Sequence, residues 1–301
     1  MAMLIKIKAF LKKMVRACLP NSIVTLVRQL MHKKAAKKRL VKKKTLGFSI
    51  HLADHCNLDC KGCSHFSPIA DEKFCSVQSL ENDFKRINEL AAGRIEGVQL
   101  FGGEPLLHPE LIKIMDMTGK YFAGTNIRIV TNGILLLKQE SVFWETCKKH
   151  NIKIFITKYP INLPFDKIEE KAKEQVVVLE YFGTSAVLQK EIWKFPLNLN
   201  GTEDIKSSFE LCFKANVCVT LDEGKMYTCP TIACIKYFNK YFGTNLEVSE
   251  KDYMDIYAVK NIEEIFEFLC KPMPFCRYCN TKQPVYGMKW ERSKKEISEW
   301  V

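Results

Sequence analysis

Acidic residues are missing from the start of the chain. Asp54 is the first, and residues 1–45 hold fourteen of the 46 lysines and arginines. That leaves 32 basic against 34 acidic residues elsewhere, so the net charge of +12 belongs to one arm and the body is nearly neutral. An uninterrupted apolar run is missing too. Lys6, Lys8, Lys12 and Lys13 break up what a secretory signal needs, and the longest uncharged stretch in the arm, Ala17 to Val27, has eleven residues, too few to cross a bilayer. Without an export signal, the thirteen cysteines argue for metal binding in a cytoplasmic, often anaerobic setting, not for a disulfide framework. A composition of 47% hydrophobic and 27% charged residues excludes wholesale disorder.

The arm has its own pattern. From Met3 to Leu19, Leu4, Ile7, Phe10, Leu11, Met14, Val15 and Cys18 share one helical face, while Lys6, Lys8, Lys12, Lys13 and Arg16 share the other. Pro20 ends this helix, and Asn21 or Ser22 caps a second carrying Ile23, Leu26, Val27 and Leu30. A basic amphipathic helix backed by the polybasic stretch Lys33 to Lys44 suits the surface of an anionic membrane. The next alternative is a helix packed on the body with its lysines in water. Nucleic acid is the weaker partner, because Phe10 is the arm's one aromatic able to stack on a base.

The chemistry concentrates in Cys56-Asn57-Leu58-Asp59-Cys60-Lys61-Gly62-Cys63, followed by Gly102-Gly103-Glu104-Pro105. Three thiolates on one loop are one fewer than a closed tetrahedral site takes, and zinc sites favour paired Cys-x2-Cys units. Three corners of a [4Fe-4S] cluster, with one iron open, fit the spacing better. Both segments resemble those of the radical S-adenosylmethionine (SAM) enzymes. The resemblance implies that Cys56, Cys60 and Cys63 bind the cluster and that its open iron takes the amino and carboxylate groups of SAM. It implies close backbone approach at Gly102 and Gly103, and a contact from Glu104 to the methionyl amine. Asn132 is a candidate contact for the ribose or carboxylate, or else simply part of an Asn-Gly turn. Many family members carry an aromatic before the third cysteine, and here that position is Gly62. His51, His55, His65 and His108 lie near these motifs, although packed histidines are the commoner outcome.

Apolar runs alternate with amphipathic ones along the body. Phe48–Leu52, Gly97–Phe101, Ile127–Val130, Ile152–Thr157 and Val176–Tyr181 read as strands. Residues 77–92, 111–121, 141–150 and 165–174 read as helices. The pattern predicts an α/β fold with parallel strands, which the family builds into a partial (β/α)6 barrel. Each motif follows a strand, where barrel chemistry sits. The expected division is a basic arm over 1–45, a barrel over 46–200 and a small auxiliary-cluster domain over 201–301.

Seven cysteines follow position 200. Cys218 to Cys229 reads as a hairpin turning at Glu223-Gly224. Cys212, Gly224, Cys229 and the pair Cys276 and Cys279 resemble the SPASM and twitch auxiliary-cluster domains. With no cysteine after Cys279, the shorter twitch type matches better. The resemblance implies a second [4Fe-4S] cluster on Cys212, Cys229, Cys276 and Cys279, with Cys218 as main rival and Cys234 or Cys270 as substitutes. Zinc is the alternative occupant. Cys18, Cys75 and Cys147 read as ordinary buried thiols.

The resemblance further implies reductive cleavage of SAM by an electron from a flavodoxin or ferredoxin, and removal of a substrate hydrogen by the resulting radical, in an oxidoreductase or isomerase reaction. The expected substrate is a small-molecule or lipid-linked carbohydrate of cell-surface polysaccharide assembly, handled in the cytoplasm or on the inner face of the membrane. A peptide maturase is the alternative, weakened by the lack of room for a peptide-binding domain before Cys56. A non-catalytic scaffold at the membrane is the third reading. Lys158, Glu180 and Tyr181 lie near strand ends and are the first places to seek substrate contacts.

Overall fold

The computed structural model describes residues 44–182 and 191–301. The basic arm, with its expected helices and membrane contact, lies outside the described residues except for Lys44 and Thr45. No helix among the described residues is long and apolar enough to cross a membrane.

Strands and helices alternate through the first half. They run β1 (Leu46–Ala53), α1 (Val77–Ala91), β2 (Ile95–Gly102), α2 (Leu111–Tyr121), β3 (Asn126–Thr131), α3 (Ser141–Lys149), β4 (Lys153–Ile156), α4 (Phe165–Glu174) and β5 (Leu179–Tyr181). The helices follow the apolar period closely. On α1, Val77, Leu80, Phe84, Ile87 and Leu90 are buried, and Ser76 caps its start by accepting from the Ser79 N–H at 3.3 Å. One face of the sheet, with Phe48, Ile50, Leu52, Val98, Leu100, Ile127, Ile129 and Ile154, lies in the apolar core shared with these helices. Phe122 joins the layers, edge-on to Phe48 at 5.8 Å and to Phe84 at 5.0 Å.

The second half adds β6 (Glu191–Lys194), α5 (Ile205–Leu211), β7 (Thr220–Asp222), β8 (Lys225–Tyr227), α6 (Pro230–Phe242), β9 (Tyr253–Asp255), α7 (Ile262–Leu269) and β10 (Val285–Lys289). The main sheet has the order β5-β4-β3-β2-β1-β7-β8-β9. Its first six strands are parallel, and β8 and β9 continue antiparallel. The α/β partial-barrel expectation holds, but the sixth parallel strand is not a further β/α unit after β5. It is β7, the first arm of the expected hairpin, which pairs Ser49 with Thr220 and Ile50 with Leu221. The expected boundary at residue 200 therefore does not interrupt the sheet. The hairpin is anchored there by α1. Asp83 accepts from the Gly224 N–H at 2.9 Å and from the Tyr257 hydroxyl at 2.7 Å. β6 pairs instead with β10 in a separate two-stranded sheet.

Candidate functional site

The three cysteines of the first motif follow β1 directly, and the loop they occupy is held on several sides. Asp59 and Gly62 have φ of 52° and 63°, and the Cys63 N–H returns to the Cys60 carbonyl at 3.3 Å. The three sulfurs are close enough to sense one another. Burial pushes the Cys56 thiol up to about 12, and the neighbouring Glu104, Cys63 and Cys60 charges add to the rise. Donors point at two of these sulfurs. The Trp290 indole N–H lies 3.1 Å from Cys60 Sγ, and the Asn132 side-chain amide lies 3.7 Å from Cys56 Sγ. Three clustered thiols with N–H donors aimed at them fit an iron-sulfur cluster, whose sulfur ligands and charge are stabilised in this way.

The second motif is packed backbone to backbone against the first. The Gly103 N–H donates to the Ala53 carbonyl at 2.7 Å and the Glu104 N–H to the His55 carbonyl at 3.1 Å. A Cβ on Gly103 would stand 2.0 Å from the His55 oxygen. Glycine is therefore required for the two loops to meet.

Glu104 has no solvent exposure. Its Oε1 accepts from the Thr131 hydroxyl at 2.7 Å and the Leu106 N–H at 3.1 Å, and its Oε2 from the Asn132 N–H at 2.9 Å. Burial raises its carboxyl to about 7, although these donors pull the other way. The carboxylate thus ties the Thr131-Asn132-Gly133 turn to the Gly-Gly-Glu turn. Asn132 carries the tie onward, its side-chain amide donating to Asn57 Oδ1 at 2.7 Å. All three motifs converge at the C-terminal ends of β1, β2 and β3.

The end of the chain completes the site. Residues 290–301 run beside the cysteine loop, with the Lys61 N–H on the Glu291 carbonyl at 2.9 Å and the Ser293 N–H on the Asp59 carbonyl at 2.7 Å. Trp300 donates to the Cys63 carbonyl at 2.8 Å. The Glu299 carbonyl would lie 2.9 Å from a Cβ at position 62. This explains the missing aromatic there: the C-terminal segment takes the space. Other aromatics are close by. The partly buried Tyr159 has its phenol held well above the ordinary range by burial and then by the charges of Cys60 and Cys63, and its ring lies 5.9 Å from that of Trp290. Neither Tyr159 nor Trp290 was legible as a site residue, since an isolated aromatic in an irregular segment carries no periodic or motif signal.

Cys212, Cys229, Cys276 and Cys279 also come together. Burial pushes Cys229 up to about 12, and Cys212 is the next contributor. Burial likewise raises Cys279, followed by the charges of Cys276, Cys229 and Cys212. Cys212 Sγ accepts from the Lys214 and Ala215 N–H groups, each at 3.4 Å. Four mutually close thiols with backbone donors on one of them fit a cluster or a zinc ion. Cys218 is exposed but still within reach of the Cys229 charge. The other two candidates turn elsewhere. Cys270 Sγ takes the Asn216 amide at 3.6 Å, and Cys234 Sγ lies 3.4 Å from His51 Nδ1. Cys75 and Cys147 are each pushed up to about 12, chiefly by burial.

Across the face of the sheet opposite the helices runs a polar row. Gln99, Arg128 and Lys153 are register partners on β2, β3 and β4. Glu180 Oε2 lies 2.7 Å from Arg128 Nε and its Oε1 3.2 Å from Lys153 Nζ. Burial alone would raise the Glu180 carboxyl, but these two cations hold it below its ordinary range. Lys158 and Tyr181 form a separate group, with Lys158 Nζ 4.2 Å from the Tyr181 ring centre and the Tyr181 hydroxyl donating to Glu169 at 2.5 Å.

Part of the chain is similar to known proteins. Residues 50–150 match the model of the radical SAM superfamily. Among curated relatives, a GTP 3',8-cyclase of Clostridium perfringens (strain SM101 / Type A) is 27% identical over 176 residues, covering 51% of this chain and 54% of the relative. A GTP 3',8-cyclase of Campylobacter fetus subsp. fetus (strain 82-40) is 26% identical over 106 residues, 35% of this chain and 33% of the relative. The chain spans about a third to a half of the length of such relatives. Among solved structures, BtrN in complex with AdoMet and 2-DOIA is 17% identical with a TM-score of 0.49, covering 80% of this chain and 94% of that one. SuiB of Streptococcus suis bound to the precursor peptide SuiA is 11% identical with a TM-score of 0.38, over 83% and 70%. The cysteine loop, the Gly-Gly-Glu turn and Asn132 all lie inside the segment that matches the radical SAM superfamily.

Proposed function

We propose that Cys56, Cys60 and Cys63 hold a [4Fe-4S] cluster at which SAM is cleaved reductively, and that the enzyme removes a hydrogen from a polar, carbohydrate-like substrate. The observation that carries this reading is the convergence of the three-thiol loop with Glu104 and Asn132 at the ends of three adjacent parallel strands. When bound, the cluster supplies the electron that breaks the sulfonium of SAM and so provides a radical able to take a substrate hydrogen. The chain's own residues do the rest. Gly103 lets the two loops close on each other, Glu104 fixes the turn that presents Asn132, and Trp290 and Asn132 donate toward the cysteine sulfurs. Glu104 acts through positioning in this reading, because its oxygens already accept three hydrogen bonds within the protein.

The row of Gln99, Arg128, Lys153 and Glu180 supports a hydroxyl-rich or charged substrate over an apolar one. We assign a second cluster to Cys212, Cys229, Cys276 and Cys279, where it would take up an electron or position substrate. A purine nucleotide substrate is a second reading, favoured by relatives named as GTP cyclases.

Iron and labile sulfide after anaerobic reconstitution test the proposal. About eight irons should fall to about four when Cys56, Cys60 and Cys63 are all changed to alanine. An iron content left unchanged by the triple substitution would sink the enzyme reading. Incubating the reduced holoenzyme and SAM separately with nucleotide sugars and with GTP then separates the two substrate classes by which one yields 5′-deoxyadenosine above background.

A further inference from the structure

A third group of metal-binding side chains is buried beside the site and is used by neither proposed cluster. His51, at the end of β1, His65, just past the cysteine loop, and Cys234, on α6, place one ligand atom each within 4.8 Å of the others. All three are buried, at 5%, 8% and 2% exposure. His65 Nδ1 lies 2.7 Å from His51 Nε2, and Cys234 Sγ lies beside the His51 ring, 3.9 Å from Nε2 and 3.4 Å from Nδ1. On the other side of the ring, Asp54 Oδ1 lies 3.4 Å from His51 Nδ1, and Asp54 itself accepts from the Tyr237 hydroxyl.

We propose that His51 Nε2, His65 Nδ1 and Cys234 Sγ form a site for a zinc-class divalent cation, with Asp54 orienting His51. Two imidazoles and a thiolate are a zinc donor set that leaves the fourth position open. Bonds of about 2.0 Å to nitrogen and 2.3 Å to sulfur imply tetrahedral edges of about 3.3 Å between nitrogens and about 3.5 Å from nitrogen to sulfur. The separations of 2.7 and 3.9 Å lie on either side of those values, and the third edge, from His65 Nδ1 to Cys234 Sγ, is within 4.8 Å. Asp54 supplies what a ligating histidine usually has, a carboxylate on its other nitrogen that fixes which nitrogen faces the metal. Tyr237 holds that carboxylate from α6, three residues past Cys234.

The surroundings offer an ion a path. A cavity of about 360 Å³ between β1, α1 and β7 has His51 and Asp54 in its wall. Asp83, Asp222 and Glu223 also line it beside Lys73, which pairs with Glu223, and the excess of carboxylates favours entry of a cation. The ion would link β1 and the segment just past the cysteine loop to α6, whose Cys234 lies 183 residues beyond His51. The site differs from the C-terminal thiolates in donor type as well as place, and this makes it separable by experiment.

The test is the zinc content of the anaerobically reconstituted holoenzyme after incubation with zinc alone and desalting, measured beside iron. About one zinc per chain should be retained by the wild type. It should be lost in Cys234→Ala, with iron unchanged, and kept in Cys147→Ala, which removes a buried thiol elsewhere. No retained zinc in the wild type, or equal zinc in Cys234→Ala, would overturn the proposal. Zinc-edge X-ray absorption of the wild type gives an answer even if a variant fails to fold. A shell of two nitrogens and one sulfur supports the site, whereas a shell of four sulfurs places the zinc on the C-terminal cysteines and refutes it.

Discussion

The indole N–H of Trp290 donates to the sulfur of Cys60 at 3.1 Å, although 230 residues separate them in sequence. The tail of the chain therefore reaches the ligand loop at its head. A hydrogen bond to a ligand sulfur stabilises the more negative, reduced state of a cluster and so raises its potential. Trp290→Phe keeps the ring and removes the donor. The midpoint potential of the SAM cluster, read by redox titration with electron paramagnetic resonance, should fall by tens of millivolts with iron content unchanged. An unshifted potential would show that the contact is packing alone.

Backbone contact between the β1 and β2 loops makes Gly103 a point of high sensitivity. The Cβ of an alanine there would meet the His55 carbonyl oxygen at 2.0 Å, and a carbonyl fixed next to Cys56 cannot swing away as a side-chain end can. Gly103→Ala should cost about 2–4 kcal/mol of stability and lower iron loading at the first cluster. Gly47→Ala, where the new carbon meets only the Gly97 oxygen at 3.8 Å, should change little. Thermal denaturation and iron assay of the two variants side by side check both statements.

Asp116 on α2 is the acid-sensitive point of the helical layer. Lys120 at 2.6 Å, then Lys149 at 2.6 Å and His150 at 2.8 Å, hold its carboxyl well below the ordinary value of 3.8, against a smaller opposing effect of burial. The unfolded chain therefore binds this proton more readily than the folded one. The stabilisation is present above about pH 4 and is lost as pH falls below it. Both lysines reach in from solvent, so the network contributes only about 1 kcal/mol and weakens with salt. Asp116→Asn should lose that amount at pH 7, and the gap to wild type should close between about pH 4 and pH 2 in urea titrations.

The sequence reveals the strand-helix alternation because each helix buries a face spaced at 3.6 residues, as Val77, Leu80, Phe84 and Ile87 do on α1. Helices α2 and α4 begin and end at the expected residues. The cysteine loop, Glu104 and Asn132 were legible as candidates because they sit in short motifs at strand ends. What escaped was whatever depends on partners distant in sequence. The hairpin turn at Glu223-Gly224 could be read locally, but the pairing of β7 with β1 is a tertiary choice that leaves no mark on either strand. For the same reason nothing in the sequence couples His51 to Cys234, 183 residues away, or Trp290 to Cys60. Glu104 was legible as a site residue, but its three internal hydrogen bonds appear only once β2 and β3 lie side by side.

The C-terminal thiols differ enough in setting to be told apart one at a time. Cys279 is buried among Cys276, Cys229 and Cys212, while Cys218 is exposed and adds least, after burial and Cys212, to the rise of Cys229. A cluster needs four ligands within reach of one cube of iron and sulfide, so losing a central thiol should cost it all its iron. Cys279→Ala should drop iron from about eight to about four per chain, while Cys218→Ala should leave about eight. The SAM-cluster signal should persist in both, which separates local loss from unfolding. The reverse pattern would move the fourth ligand from Cys279 to Cys218, and with it the cluster toward the surface.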